Sequence, residues 1–137
     1  MFSIGKLSHR TGVKIPTIRY YEKIGLMDEP GRNFGNQRRY TQAELERLSF
    51  IKHARDLGLS IASISDLIRL HEHPDHSCAA AHTIAEAHLE NTRRKLKKLR
   101  KLEKELKRII SHAHGDRIND CTIIQTLTDH RLCSSEH

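Results

Sequence analysis

Cysteine and histidine are the side chains of this sequence with the most chemistry to offer. Three cysteines stand at positions 78, 121 and 133 among eleven histidines. An odd, widely spaced set of thiols does not describe a disulfide framework, which leaves metal ligation or thiol oxidation as its chemistry. Cys121 follows a segment that offers His112, His114, Asp116 and Asp120. Thiolate and imidazole in a near-tetrahedral set suit zinc, and also cadmium or cobalt. His112 and His114 are both candidate donors beside Cys121. In the tail, His130, Cys133 and His137 form a second cluster that binds another ion, completes the first site or carries no ligand. His71, His73, His76, His82 and His88 flank Cys78, and most are read as solvated bystanders. His82, one helical turn after Cys78, is the best placed of them to be a secondary donor.

A second constellation is Thr17-Ile18-Arg19-Tyr20-Tyr21-Glu22. On a helix it places Ile18 and Tyr21 on one face and rotates Arg19 and Tyr20 away. Arg19 can then pair with a phosphate or a base edge, and a tyrosine hydroxyl can donate to phosphate oxygens. Tyr21 is read as core.

Several elements must hold these residues. Ser3 is placed to cap a helix running toward Arg10, which Gly12 breaks; Pro16 sits in the first turn of the next helix, which ends near Gly25. Two short helices across a tight glycine turn make a helix-turn-helix. Residues Asp28 to Asn36 read as a loop and Gln37 to Tyr40 as the returning edge of a hairpin, a wing. Thr41 with Glu44 forms a capping box for a helix whose stripe is Leu45, Leu48, Ile51, Ala54 and Leu57. Ser60 opens another, carrying Ile61, Ile64, Leu67, Ile68 and Leu70 and stopping near Pro74. From Ala79 to His112 there is no Gly or Pro, and Leu89, Leu96, Leu99, Leu102, Leu106, Ile109 and Ile110 recur as a coiled-coil seam. Its other face holds ten cationic residues between Arg93 and Arg108, read as a solvated face of a dimer helix with phosphate or membrane contact as the alternative. Gly115 opens a polar loop, and Thr122 to Leu127 resumes a helix. The fold class expected is mainly α, in three parts: residues 1–75, 76–112 and 113–137.

Composition narrows the function. With 137 residues there is room for one modest core and an extension, so a partner chain is expected. The formal charge of +7 calls for an anionic partner. Residues 1–40 hold eight Lys and Arg against three acids, inside a folded segment rather than a tail. No stretch is long and apolar enough to span a membrane and Met1 to Arg10 lacks a signal-peptide core, so the expected compartment is the cytoplasm. An enzyme is disfavoured: there is no nucleophile motif, glycine-rich phosphate loop or paired carboxylates in a pocket-forming context.

Ile4-Gly5-Lys6-Leu7, Thr11-Gly12-Val13, Thr17 through Glu22, Gly25-Leu26, Arg38-Arg39-Tyr40-Thr41, Leu48, Ile51 and Arg55-Leu57-Gly58 resemble the signature of the MerR family of transcription regulators in order and spacing. One departure lies in the wing, where Asn36-Gln37 replaces the usual glycine and aromatic. The resemblance implies a winged helix-turn-helix in each subunit and an antiparallel coiled coil making a homodimer. It also implies promoter DNA and RNA polymerase as partners, and activation by twisting an overlong promoter spacer. It assigns Lys14, Thr17, Arg19, Tyr20, Arg38, Arg39 and Tyr40 to the DNA interface. The segment from His114 to Cys121 resembles the family's metal-binding loop with histidine for its first cysteine, and a cysteine at position 78 resembles the divalent-ion sensors. About thirty helical residues, roughly 45 Å, separate Cys78 from Cys121 along one chain. An antiparallel dimer would let Cys78 of one subunit meet Cys121 of the other. The implied ligand set is Cys78, His112, His114, Cys121 and Cys133, for zinc first and cadmium, cobalt or lead otherwise. A thiol-oxidation sensor is the rival: both need Cys121, but only the metal sensor also needs His114. An architectural DNA-binding role would be indifferent to metal. Organic-cation sensing needs a larger carboxyl-terminal domain, and an iron–sulfur cluster needs more cysteines in the loop.

Overall fold

The computed structural model describes residues 1–32, 35, 38–112, 117–118 and 121–129. The chain forms two compact units, Met1–His82 and Thr83–His137.

The first unit is built on short helices with explicit stops. Helix α1 spans Ile4–Thr11, and the Ser3 hydroxyl accepts the Lys6 N–H at 3.2 Å, satisfying one of the donors that a helix start leaves unpaired. Gly12 ends it with φ of 76°, a left-handed conformation that costs glycine nothing and returns its N–H to the Ser8 carbonyl. Helix α2, Ile15–Lys23, starts with Pro16 in its first turn, where the missing N–H has no partner to lose. Ile18 and Tyr21 are its buried residues.

Next comes a two-stranded antiparallel hairpin: β1, Gly31–Arg32, pairs with β2, Arg38–Arg39, in the register Gly31 to Arg39 and Arg32 to Arg38. The wing expected from residues 28–40 is thus present at its base, while the Asn36-Gln37 departure lies outside the described residues. Phe2 and Tyr40 exchange backbone hydrogen bonds of 2.7 and 2.8 Å, stitching the amino terminus to the end of β2. The Arg10 guanidinium lies 4.8 Å over the Phe2 ring and covers that junction.

Helix α3, Gln42–Asp56, carries the full capping box: the Thr41 side chain takes the Glu44 N–H, and the Thr41 N–H donates to the Glu44 carboxylate. Leu45, Leu48, Ile51 and Ala54 are buried as expected. Leu57 is not; it is 73% exposed, because it is the C-cap residue, where the chain leaves the helix and turns through Gly58 at φ of 84°. Helix α4, Ile61–His71, is capped by Ser60 and buries Ile64 and Ile68. Helix α1 packs on α2 and α3, and α3 on α4, around a core that includes Leu7, Ile18, Met27, Leu48, Ile51 and Ile64.

Helix α5 spans Ala79–Ser111, 33 residues, and its part from residue 83 on belongs to the second unit. Helix α6, Thr122–Thr128, follows with Cys121 as its N-cap residue. Glu105, Ile109 and Thr126 are buried here, and Glu105 is compensated by the Arg108 guanidinium at 2.6 Å. Leu99, Leu106 and Ile110 are 61, 58 and 65% exposed, a row of large apolar side chains open along α5. Among the described residues no helix is long and apolar enough to cross a membrane.

Candidate nucleic-acid interface and metal centre

The exposed side of α2 is cationic because its apolar residues are turned inward. With Ile18 and Tyr21 in the core, the helical repeat leaves Arg19, Tyr20 and Lys23 in solvent, and Lys14 is exposed at the N-cap. Tyr20 is half-exposed with its ring 6.1 Å from that of Tyr21, and Thr17 is half-buried. Arg39 on β2 is half-buried; the side chain of Arg38 lies outside the described part of the structure.

Tyr40 departs from the sequence expectation. It is completely buried, and its hydroxyl donates to Glu22 Oε2 at 2.8 Å, so its side chain is not open to the DNA interface to which the sequence assigned it. Alternation along the extended chain explains this: successive side chains point to opposite sides, and after the half-buried Arg39 the next residue points to the core. The role that replaces phosphate contact is positional. Tyr40 directly follows β2 and Glu22 belongs to α2, so this bond ties the wing to the second helix of the helix-turn-helix. Glu22 is a residue that the sequence reading overlooked. A carboxylate on the inner half of an otherwise cationic helix was the available signal.

The metal-ligand candidates divide between the two units. Cys78 is a free thiol, exposed in the first, beside a groove of about 490 Å³ that Phe50, Leu67, Leu70, His71 and Pro74 also line. His82 is exposed one turn further on, with its N–H on the Cys78 carbonyl at 3.0 Å. In the second unit, Cys121 is a free, half-buried thiol. The Thr122 hydroxyl donates to the His112 carbonyl at 2.9 Å, so the chain leaving α5 and the chain entering α6 are pinned together, with His112 and Cys121 at the two sides of that closure. His112 Nδ1 lies 2.9 Å from the Arg108 carbonyl, which can only accept. In the neutral tautomer that donates to this carbonyl, the lone pair is on Nε2, as in a metal-binding imidazole oriented by a backbone carbonyl. Thiolate and imidazole at one loop mouth fit a divalent ion of the zinc type. Among the described residues no three donors converge in a single chain. His114 and Cys133 lie outside the described residues. Thr122 is a second residue that went unnoticed in the sequence, although a hydroxyl in the first turn after a candidate ligand is a signal of a closed loop.

Two helices across a glycine turn, an adjoining hairpin and a cationic second helix define a DNA-binding regulator. Residues 2–70 match the description "MerR HTH family regulatory protein" and residues 45–109 match "MerR, DNA binding". The chain belongs to the MerR family of helix-turn-helix transcription regulators. It is 35% identical to the HTH-type transcriptional regulator HmrR of Rhizobium leguminosarum bv. viciae over 93% of this chain and 98% of that one. With the mercuric resistance operon regulatory protein of Pseudomonas fluorescens it shares 36% identity over 91% of this chain and 86% of that one. The crystal structure of the regulator PbrR691 from Ralstonia metallidurans CH34 in complex with lead(II) superimposes with a TM-score of 0.79 at 33% identity, covering 93% of this chain and 99% of that one. These relatives are transcription regulators rather than enzymes, as the sequence led us to expect.

The Tyr40 to Glu22 bond generates a direct test. Tyr40→Phe is expected to lower stability by about 1.5 to 3 kcal/mol, the net worth of a hydrogen bond to a charged group, and to weaken DNA binding several-fold by loosening the wing. Because both residues serve one contact, combining it with Glu22→Gln should add little further loss, whether read by urea denaturation or by fluorescence anisotropy with DNA. Fully additive losses would show that the two residues act separately.

Proposed function

We propose that this protein is a cytoplasmic, homodimeric transcription regulator that binds promoter DNA through α2 and the wing and responds to a divalent metal ion, zinc first among the candidates. The observation that carries the metal reading is the Thr122 to His112 bond, which ties the backbone of His112 to the first turn of α6, next to the free thiol of Cys121. The heavy-metal relatives described above support the same reading. Cadmium, cobalt and lead share enough of the donor preference to compete.

A single chain leaves the sensing apparatus incomplete. The open apolar row of Leu99, Leu106 and Ile110 on α5 is the kind of surface that a second copy covers. In an antiparallel pair the start of one α5 lies beside the end of the other. The ligand set would then combine Cys121 and a loop histidine, His112 or His114, from one subunit with Cys78 from its partner, and Cys133 is the remaining candidate donor. An ion shared between subunits can shift the angle between two DNA-binding heads, because it binds one arrangement of the dimer better than another. Transmitted to DNA, that shift would change the twist of the promoter spacer and so its use by RNA polymerase. Oxidation of the free thiols is the second reading, favoured by the exposure of Cys78.

On the DNA side, Lys14, Thr17, Arg19, Tyr20, Arg38 and Arg39 make up the proposed interface, with Arg19 at its centre. Arg19→Ala is expected to weaken operator binding about tenfold or more while the dimer persists in sedimentation, a loss of the size of one charged base or phosphate contact. Unchanged binding would remove α2 from the interface.

On the metal side, the reduced protein is expected to bind zinc tightly in competition with a chromogenic chelator, and Cys121→Ser to abolish that binding. Subunits carrying only Cys78→Ser, mixed with subunits carrying only Cys121→Ser, should regain one tight site per heterodimer. Failure of the mixture to regain any site would exclude sharing across the interface, and zinc binding that survives Cys121→Ser would exclude the loop.

A further inference from the structure

The stretch of α5 from Arg93 to Arg108 carries ten Lys and Arg against two acids. At 100° per residue, seven of the cations, Arg93, Lys97, Arg100, Lys101, Lys104, Lys107 and Arg108, fall within roughly 120° of the helix circumference over about 22 Å of its length. Glu103 and Glu105 both fall outside that arc. They bond its margin, Lys107 at 3.9 Å and Arg108 at 2.6 Å. The other five, Arg93, Lys97, Arg100, Lys101 and Lys104, are exposed and make no ion pair among the described residues. The apolar row, with Leu99, Leu106 and Ile110, occupies the opposite side. The cationic arc is therefore the side of α5 turned away from the surface that the proposed dimer buries.

Solubility alone does not call for this arrangement. Cations three and four residues apart repel one another and weaken the helix that carries them, whereas alternating Glu and Lys would be equally soluble and would stabilise it. Here like charges recur at 93 and 97, 97 and 101, 97 and 100, 100 and 104, and 101 and 104. A polyanion laid along the arc reverses the sign of all these interactions at once, releasing counterions as it does so. Duplex DNA has the required form, a straight array of phosphates at a density exceeding one charge per cationic side chain.

We infer that the cationic arc of α5 is a second, sequence-independent surface for duplex DNA, separate from α2 and the wing. It raises the local concentration of DNA around the regulator and gives a dimer two outward faces on which a neighbouring duplex segment can lie. The inference does not depend on the metal reading, and it requires of the family assignment only that the protein works among DNA.

The test uses the full-length protein, a 30-base-pair duplex of scrambled sequence and a series of potassium chloride concentrations, with binding followed by fluorescence anisotropy. Lys97→Gln, Lys101→Gln and Lys104→Gln are combined in one variant, which is relieved of repulsion within the helix and should be at least as helical by circular dichroism. The expected result is a slope of log K against log salt that is shallower by about 2 to 3, at roughly 0.9 for each phosphate no longer neutralised, with affinity falling tenfold or more at low salt. Arg19→Ala, the control for the other surface, should leave that difference in place. A slope and affinity equal to those of the parent protein would overturn the inference. So would a variant that keeps its DNA binding but no longer binds phosphatidylglycerol vesicles, which would assign the arc to anionic lipid.

Discussion

The amino-terminal unit depends on one buried polar contact. A hairpin whose described strands are two residues each cannot hold its own position, since an isolated pair of strands is marginal in water. Here the hairpin is fixed where β2 ends, by the Phe2 backbone on the Tyr40 backbone and by the Tyr40 hydroxyl on Glu22. Both attachments converge on Tyr40, which is completely buried. A phenol in a core needs a partner for its hydroxyl, and a carboxylate next to a core needs a donor. Each residue answers the other's requirement, and the cationic side of α2 thereby keeps a defined relation to the arginines of β2.

A comparable economy governs the second unit. The Thr122 to His112 bond closes the mouth of the loop with side-chain and backbone groups, before any ion is considered. A closed mouth reduces the chain entropy that an ion would otherwise have to overcome in gathering ligands from a free loop. The Arg108 carbonyl, 2.9 Å from His112 Nδ1, is likewise a backbone group already in place to orient the ring. The groups that would organise the proposed metal donors are thus a threonine and a carbonyl, neither of which is itself a candidate ligand.

Much of this architecture was legible in the residues, because local rules decide it. The Thr41 and Glu44 capping box, the Ser3 and Ser60 caps and the left-handed turns at Gly12 and Gly58 each need only a few neighbouring positions, and all are present. Side chains whose direction depends on distant partners were not legible. Tyr40 was assigned to the DNA interface with the family signature, and only its pairing with Phe2 and Glu22 turns it inward. Leu57 continued an apolar period that the helix itself did not continue. Glu105 is a charged residue in a cationic helix, and its burial follows from the packing of the second unit, which no local pattern announces. The candidate metal donors were readable as residue types; which of them share a loop mouth followed from the hydrogen bonds around them.

The central claim is that a divalent ion changes the way this dimer holds DNA. The most direct measurement is a nuclease footprint on the cognate promoter, taken with the reduced protein at saturating concentration, with and without zinc. The expected result is a protected region of the same length in both cases, with cleavage at its centre strongly enhanced only when zinc is present. A footprint that is identical with zinc, cadmium, cobalt, lead and chelator would contradict that claim.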